Sequence, residues 1–370
     1  MTLGVKGKLK KELTVIIPAY NDILHLDRML KSLQEAPHNE IATIFIINDN
    51  DNIEDSEYKK LINKYDMDIK YYRNKENIGV GATRKRGIEL SVTDWIAFVD
   101  QDDYVVKNYF RNFIMANKDN DENKLMYAFL FKRKFLEHDD YTGLPTETEK
   151  DKIEIEHHVH IGANFYNKLL FKKFNIEWLD DRMSDDLYMN ALIYFLNKKY
   201  NFVKDYEILN YTWDNTNTKS ITNTTHARDI SYHLIETFRK VRLFFEKYCY
   251  DNNIDENEKN NIFKKIDENI EFMRIRNIKY KFPEIWYQYM DNIVEQYEKS
   301  FNYVKGILTD KHDNFIHYMA KKYLIVYMYD ELHNLELCSF IYELYYKVPK
   351  KCDVDSIEYE RTLLKKMGIK

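Results

Sequence analysis

Residues 13 to 18, LTVIIP, form an unbroken apolar run closed by Pro18, the pattern of a strand buried on both faces whose end leads into a loop. Asn21 or Asp22 can cap the helix that follows, and Ile23, Leu26, Leu30 and Leu33 fall on one stripe of it. The alternation continues with a strand at 41–47 (IATIFII), a polar helix near 54–65, a strand at 68–72, a helix near 79–91 and a strand at 94–99 (DWIAFV). Strands alternating with helices predict a doubly wound α/β unit with a parallel sheet. From about residue 225 the pattern changes to helical stretches rich in Tyr, Lys and Glu, with few Gly or Pro. The expected organisation is therefore an α/β domain over 1–224 and a helical domain over 225–370.

Charge and cysteine content narrow the setting. The 370 residues carry 56 Lys plus Arg against 61 Asp plus Glu, and residues 225–370 are balanced at 24 of each. No bulk positive field argues for a polyanionic partner, so nucleic acid is not the expected one. Three cysteines, Cys249, Cys338 and Cys352, give no disulfide framework and suit a reducing compartment. The N-terminal MTLGVKGKLKKEL lacks an apolar run, and no later stretch approaches the ~20 apolar residues that span a bilayer. The expectation is a cytoplasmic protein, peripheral at the inner face of the membrane if its target is a surface polymer.

The chemistry lies at the strand ends. Ala19-Tyr20-Asn21, Asn48-Asp49-Asn50-Asp51 and Asp100-Gln101-Asp102-Asp103 each follow a core strand. Open α/β sheets bind ligands beyond the carboxyl ends of their strands, so three such clusters mark one site. Acids crowded on a rigid edge call for a hard cation such as magnesium or manganese, which completes its shell with substrate phosphates. The competing reading of Asp100 and Asp102 is an exposed acidic turn. Residues 77–84 (NIGVGATR) hold only half of a dinucleotide fingerprint, because Arg84 stands where its third glycine belongs. Arg84 then either faces a nucleotide or is solvated on its helix. Ser184 or Asp185 would cap a helix running to Asn197, which explains one of the acids Asp185 and Asp186 but not both, and a carboxylate placed here could take the proton of an incoming hydroxyl. His157, His158 and His160 alternate along an extended segment without a fourth ligand nearby, which suggests an acceptor loop or plain surface over zinc.

Taken in order, these motifs resemble the family 2 inverting glycosyltransferases of the GT-A fold, over roughly residues 12–222. Val15-Ile16-Ile17-Pro18-Ala19-Tyr20-Asn21 is similar to the family's first-strand motif, whose loop contacts the nucleobase. Ile46 to Asp51 is similar to V-D-D-G-S, with Asn48 at the first acid and Asn50 at the glycine. Asn77, Gly79, Arg84 and Gly87 follow N-x-G-x-x-x-A-R-N-x-G, with Thr83 and Lys85 departing from it. Asp100 and Asp102 match the D-x-D that holds ribose or metal and the diphosphate. The run from Gly162 to Asp185-Asp186 is similar to the acceptor-side segment ending in Glu-Asp. Residues 211–222 (YTWDNTNTKSIT) are similar to the closing strand and its S-x-T loop, which includes Ser220. Many relatives carry a metal-binding His there; this chain has none, and Asp214 is the substitute.

The resemblance implies a GT-A domain of Rossmann-like nucleotide-diphospho-sugar transferase type, followed here by the helical domain. It further implies a UDP-sugar donor seated on Pro18, Ala19, Tyr20, Asp49, Asn77, Arg84 and Asp100, Mn2+ or Mg2+ held through Asp102 with Asp100 beside it, and Asp186 as base. Asp185, His160 and Ser220 fall on the acceptor or loop side. The transferred sugar is expected to be glucose or an N-acetylhexosamine, and the acceptor a hydroxyl of a surface glycopolymer such as teichoic acid or capsular polysaccharide. Two alternatives stand beside this reading, a transferase acting on modified phage DNA and an inactive nucleotide-sugar-binding module. The Tyr-rich helices suit core packing, acceptor positioning or homo-oligomer formation.

Overall fold

The computed structural model describes residues 11–119, 124–134, 139–142, 160–180, 184–196, 203–214, 227–347 and 350–369. The predicted alternation is present: β1 (Leu13–Ala19), α1 (Ile23–Glu35), β2 (Ala42–Asn48), α2 (Asp55–Ile62), β3 (Ile69–Arg73), α3 (Val80–Leu90) and β4 (Trp95–Phe98). Every residue of β1 and β2 is buried, as continuous apolar runs require of strands covered on both faces. Asp22, one of the two expected caps, accepts from the His25 amide and starts α1.

These four strands run parallel in the order β3-β2-β1-β4. The chain winds outward from β1 to β3 and then returns to β1's other side, so the topological switch lies between β1 and β4. Leu26, Met29, Leu30 and Leu33 of α1 join Leu13, Val15 and Ile17 in one core. On the opposite face α3 lies so close to β1 that a Cβ on Gly87 would come within 2.5 Å of Ile16 Cγ2. Glycine is what that approach allows.

The sheet then continues in mixed directions. Beyond β4 it adds β8 (Phe165–Asn167), β6 (Met126–Lys134), β9 (Val203–Asp214) and β5 (Tyr104–Val105), with β7 (Asp139–Thr142) paired to β6. The helices on this half are α4 (Tyr109–Asn117), α5 (Lys168–Phe174) and α6 (Asp185–Leu196). β8 pairs antiparallel with β4 and with β6, so the switch from parallel to mixed pairing falls directly behind the acidic strand end. The closing strand expected from residue 211 starts earlier, at Val203, and the described part ends at Asp214.

The remaining helices are α7 (Ala227–Asp251), α8 (Glu256–Lys281), α9 (Pro283–Ile307), α10 (Asp313–Leu332), α11 (Leu335–Tyr346) and α12 (Val354–Lys366). The chain divides into two compact units, 1–225 with 233–270 and 226–232 with 271–370. The change to helices at 225 was legible in the sequence, but α7 and the first half of α8 belong largely to the first unit. The second unit has its own core, including Ile325, Phe340, Ile341 and Ile357. A buried ion pair, Lys322 with Glu360, lies inside it. All three cysteines, Cys249, Cys338 and Cys352, are free and buried.

Candidate active site

Residues 100–103, beyond β4, are each tied to a different part of the chain. Arg84 of α3 donates to Asp100 Oδ1 (2.5 Å). Gln101 exchanges two hydrogen bonds with the backbone of Tyr20 beyond β1 (2.8 and 2.9 Å). Arg28 of α1 donates to the Asp102 carbonyl and to Asp214 Oδ2 (2.5 Å). Tyr211 of β9 donates its hydroxyl to Asp103 Oδ2 (2.7 Å) and accepts from the Asp100 amide (3.0 Å). The acidic turn is therefore a fixed structure at the switch point, and the exposed-turn reading fails.

Charge is balanced within this cluster. Burial opposes ionisation of Asp100, but Arg84 and His160 outweigh it and hold that carboxyl below its ordinary value. Asp103 goes the other way: burial, then Asp102 and Asp100, push it well above the carboxylate range. Asp100, Asp103 and His160 each turn one ligand atom to within 4.8 Å of the others. Carboxylate oxygens with one imidazole suit manganese or magnesium, so these three could hold the expected cation; Asp102, expected as its main ligand, is not among them. His160 is not the surface residue its sequence context suggests. Its side chain is 12% exposed and packs in a tilted arrangement against the Tyr211 ring (4.7 Å between centroids), with Nε2 at 3.6 Å from Asp103. Asp214, expected as a substitute ligand, is buried against Arg28, and its amide donates to Asp103 (2.8 Å).

Arg84 links the acidic turn to the start of α6. It is buried, and its guanidinium also grips both oxygens of Asp185 (2.8 and 2.9 Å). It is no solvated helix residue, and the partners its guanidinium meets are protein carboxylates. Trp178 Nε1 donates to the same carboxylate (2.7 Å), so Asp185, only 2% exposed, is fully engaged. Asp186 is different. Burial and the neighbouring Asp185 charge push its carboxyl up to about 7, against the opposing pull of Arg84 and the Leu187 amide. Ser184 occupies the cap position, with a left-handed φ of 68° and its carbonyl accepting from the Tyr188 amide (3.0 Å).

Asp49 is buried and braces the turn before α3, accepting from Asn74 Nδ2 (2.7 Å) and from the amides of Ile78 (2.9 Å) and Gly79 (2.8 Å). Asn77 is exposed on that turn. Asp51 fixes the β1 loop, accepting from the amide of Asn21 (2.8 Å), whose φ of 51° is left-handed. Pro18 and Ala19 end β1, and the Tyr20 ring beyond them is 46% exposed. His157, His158 and Ser220 lie outside the described residues. Gln101 and Asp103 fell inside a cluster the sequence marked, without roles of their own, whereas Arg28, Trp178 and Tyr211 were not read as site residues. Arg28 and Tyr211 act through partners distant in the chain, and no local pattern marks them.

A parallel half-sheet with cross-tied loops and an acid cluster at its switch point, extended by mixed strands, is a domain of the GT-A fold. Residues 14–172 match the model of Glycosyl transferase family 2, and this segment is a family 2 glycosyltransferase domain. The chain is 22% identical over 203 residues to Glycosyltransferase GlyA of Streptococcus pneumoniae serotype 4, a match covering 51% of this chain and 29% of that protein. It is 26% identical over 202 residues to the Minor teichoic acid biosynthesis protein GgaB of Bacillus subtilis, covering 52% of this chain and 22% of that one. The matches thus span under a third of those relatives' lengths. Among solved structures, S. aureus TarS 1–349 in complex with UDP-GlcNAc superposes with a TM-score of 0.56 at 15% identity, covering 97% of this chain and 92% of that one. Among the described residues no helix is long and apolar enough to cross a membrane.

Proposed function

We propose that this protein is an inverting glycosyltransferase that moves a hexose or N-acetylhexosamine from a uridine diphosphate donor to a hydroxyl of a teichoic-acid-like or capsular glycopolymer. The GT-A fold, the teichoic acid relative and the UDP-GlcNAc complex of a structural neighbour support donor and acceptor class. The observation that carries the mechanism is the asymmetry of the two acids opening α6. Asp185 is bound by Arg84 and Trp178, while the Asp186 carboxyl sits near neutrality. A base works best when its proton affinity lies near the operating pH.

In this reading the acceptor oxygen attacks the anomeric carbon from the face opposite the diphosphate. As that C–O bond forms, the bond to the β-phosphate oxygen breaks, its electron pair leaves with the diphosphate, and the hydroxyl proton passes to Asp186. Asp100, Asp102, Asp103 and His160 would hold Mn2+ or Mg2+, which supplies positive charge for the departing diphosphate. Arg84 aligns Asp100 with the acceptor-side pair, and Tyr211 with Arg28 fixes the acids that face the phosphates. Residues 1–224 act as the catalytic domain in the cytoplasm, and the helical region positions the acceptor or joins subunits.

Asp186→Asn keeps size and removes the base, so transfer should fall at least ~100-fold while UDP binding stays close to normal. Asp185→Asn should instead weaken the fold, because Arg84 loses its buried partner. Normal transfer by Asp186→Asn would exclude it as the base, and loss confined to Asp185→Asn would move the role by one residue.

A further inference from the structure

Of the four ties that fix residues 100–103, the one made by Gln101 lies at an exposed position. The last backbone bond described between the two central strands runs from the Val99 amide to the Ile16 carbonyl (3.1 Å). Pro18 has no amide hydrogen to extend that ladder. Beyond it the Gln101 side chain takes over as a surrogate strand: Nε2 donates to the Tyr20 carbonyl (2.8 Å), and Oε1 accepts from the Tyr20 amide (2.9 Å). On the far side the Asn21 amide is held by Asp51 (2.8 Å), and Asn21 Oδ1 accepts from the Asn52 amide (3.2 Å). The Tyr20 backbone is thus gripped from both neighbouring loops while its ring stays half in solvent.

Exposed hydrogen bonds compete with water and contribute little to folding. Their value here is in what they hold still. We propose that Gln101 is a positioning residue for the nucleotide: it locks the end of β1 in the shape the donor's base meets, so that binding does not have to order this loop. This rests on the proposed uridine diphosphate site. It assigns to the residue between Asp100 and Asp102 a task distinct from theirs, because both polar ends of the Gln101 side chain are engaged by the Tyr20 backbone.

Gln101→Met keeps the side-chain length and removes both polar ends, and Gln101→Glu keeps the acceptor while losing the donor. Hydrogen–deuterium exchange of the ligand-free protein reads the clamp itself, and amides from Ala19 to Asp22 should exchange faster in Gln101→Met. Calorimetry with UDP and manganese reads the consequence: the dissociation constant should rise about fivefold to tenfold, the loss expected for two exposed hydrogen bonds. Gln101→Glu should weaken UDP binding at least as much, since it sets a carboxylate oxygen against the Tyr20 carbonyl and adds negative charge beside Asp100 and Asp102. The donor KM should rise in parallel, with kcat changing less. In a Tyr20→Ala background the same substitution should add little, since the loop it positions has lost its ring. Unchanged exchange would overturn the clamp. Faster exchange with unchanged UDP affinity, or full additivity with Tyr20→Ala, would overturn the positioning role. If the unsubstituted protein binds no UDP while exchange still responds, the donor assignment fails and the positioning role falls with it.

Discussion

Arg84 carries more of this site than any other side chain. It is buried between Asp100 and Asp185, and removal would leave carboxylates in a poorly solvated place without their partner. Arg84→Met should therefore cost about 3–5 kcal/mol in chemical denaturation. A second effect follows from the direction of its influence on Asp186. Arg84 pulls that carboxyl down, so its loss should move the basic form to higher pH. For the unsubstituted protein the sign is simple: Asp186 accepts a proton only when ionised, and burial with the Asp185 charge pushes its carboxyl up to about 7. Plotted against pH, kcat/KM should drop about tenfold per unit below that value and level off above it. In any Arg84→Met protein that folds, the inflection should lie higher; a profile flat from pH 5 to 8 would remove Asp186 from the rate-determining proton transfer.

At the scale of elements, two close approaches set the geometry. Gly87 lets α3 sit against β1, and Gly162 makes room for the Tyr211 ring, where an added Cβ would meet the ring carbons at 2.3 Å. Gly87→Ala gains about 1 kcal/mol of helix propensity but forces a fully buried Ile16 to move, at about 1–3 kcal/mol. The net should be a small destabilisation in urea titration. Gly162→Ala should be worse for activity than for stability, because it pushes the Tyr211 hydroxyl away from Asp103 and the Asp100 amide. Equal activity of this variant and the parent would show that the Tyr211 tie is dispensable.

The same elements show what sequence patterning can and cannot reveal. Strands such as β1 and β2 are continuous apolar runs bounded by Pro or Asn, and their limits were readable to within a residue or two. The mixed half was not. β8 has three residues, and the β6–β9 ladder shifts register around Leu130, so neither leaves a clean period. The acid clusters were legible because they sit at ends of legible strands. What each acid does was not, since Asp49 and Asp185 look like ligands in sequence and prove to be held by protein donors. Arg28 reaches Asp214 across 186 residues, a distance at which no spacing rule applies.

For the whole molecule, the near balance of charge and the absence of a bulk basic field leave recognition to local surfaces. The second unit has its own core, and several of its tyrosines, among them Tyr287 and Tyr359, face solvent while others pack inside. Exposed aromatic rings of this kind suit contacts with sugars or with another subunit. Neither role alters the chemistry proposed for the first unit, which depends on a nucleotide diphosphate donor and a cation. The most direct measurement incubates the full chain with a panel of nucleotide sugars and a polyol-phosphate polymer, and records released nucleotide and labelled polymer with manganese or with excess chelator. The account predicts transfer from a uridine diphosphate sugar, strong suppression by chelator, and loss of transfer in Asp186→Asn with UDP binding retained. Transfer from a guanosine diphosphate sugar alone, or turnover unaffected by chelator and by Asp186→Asn, would contradict it.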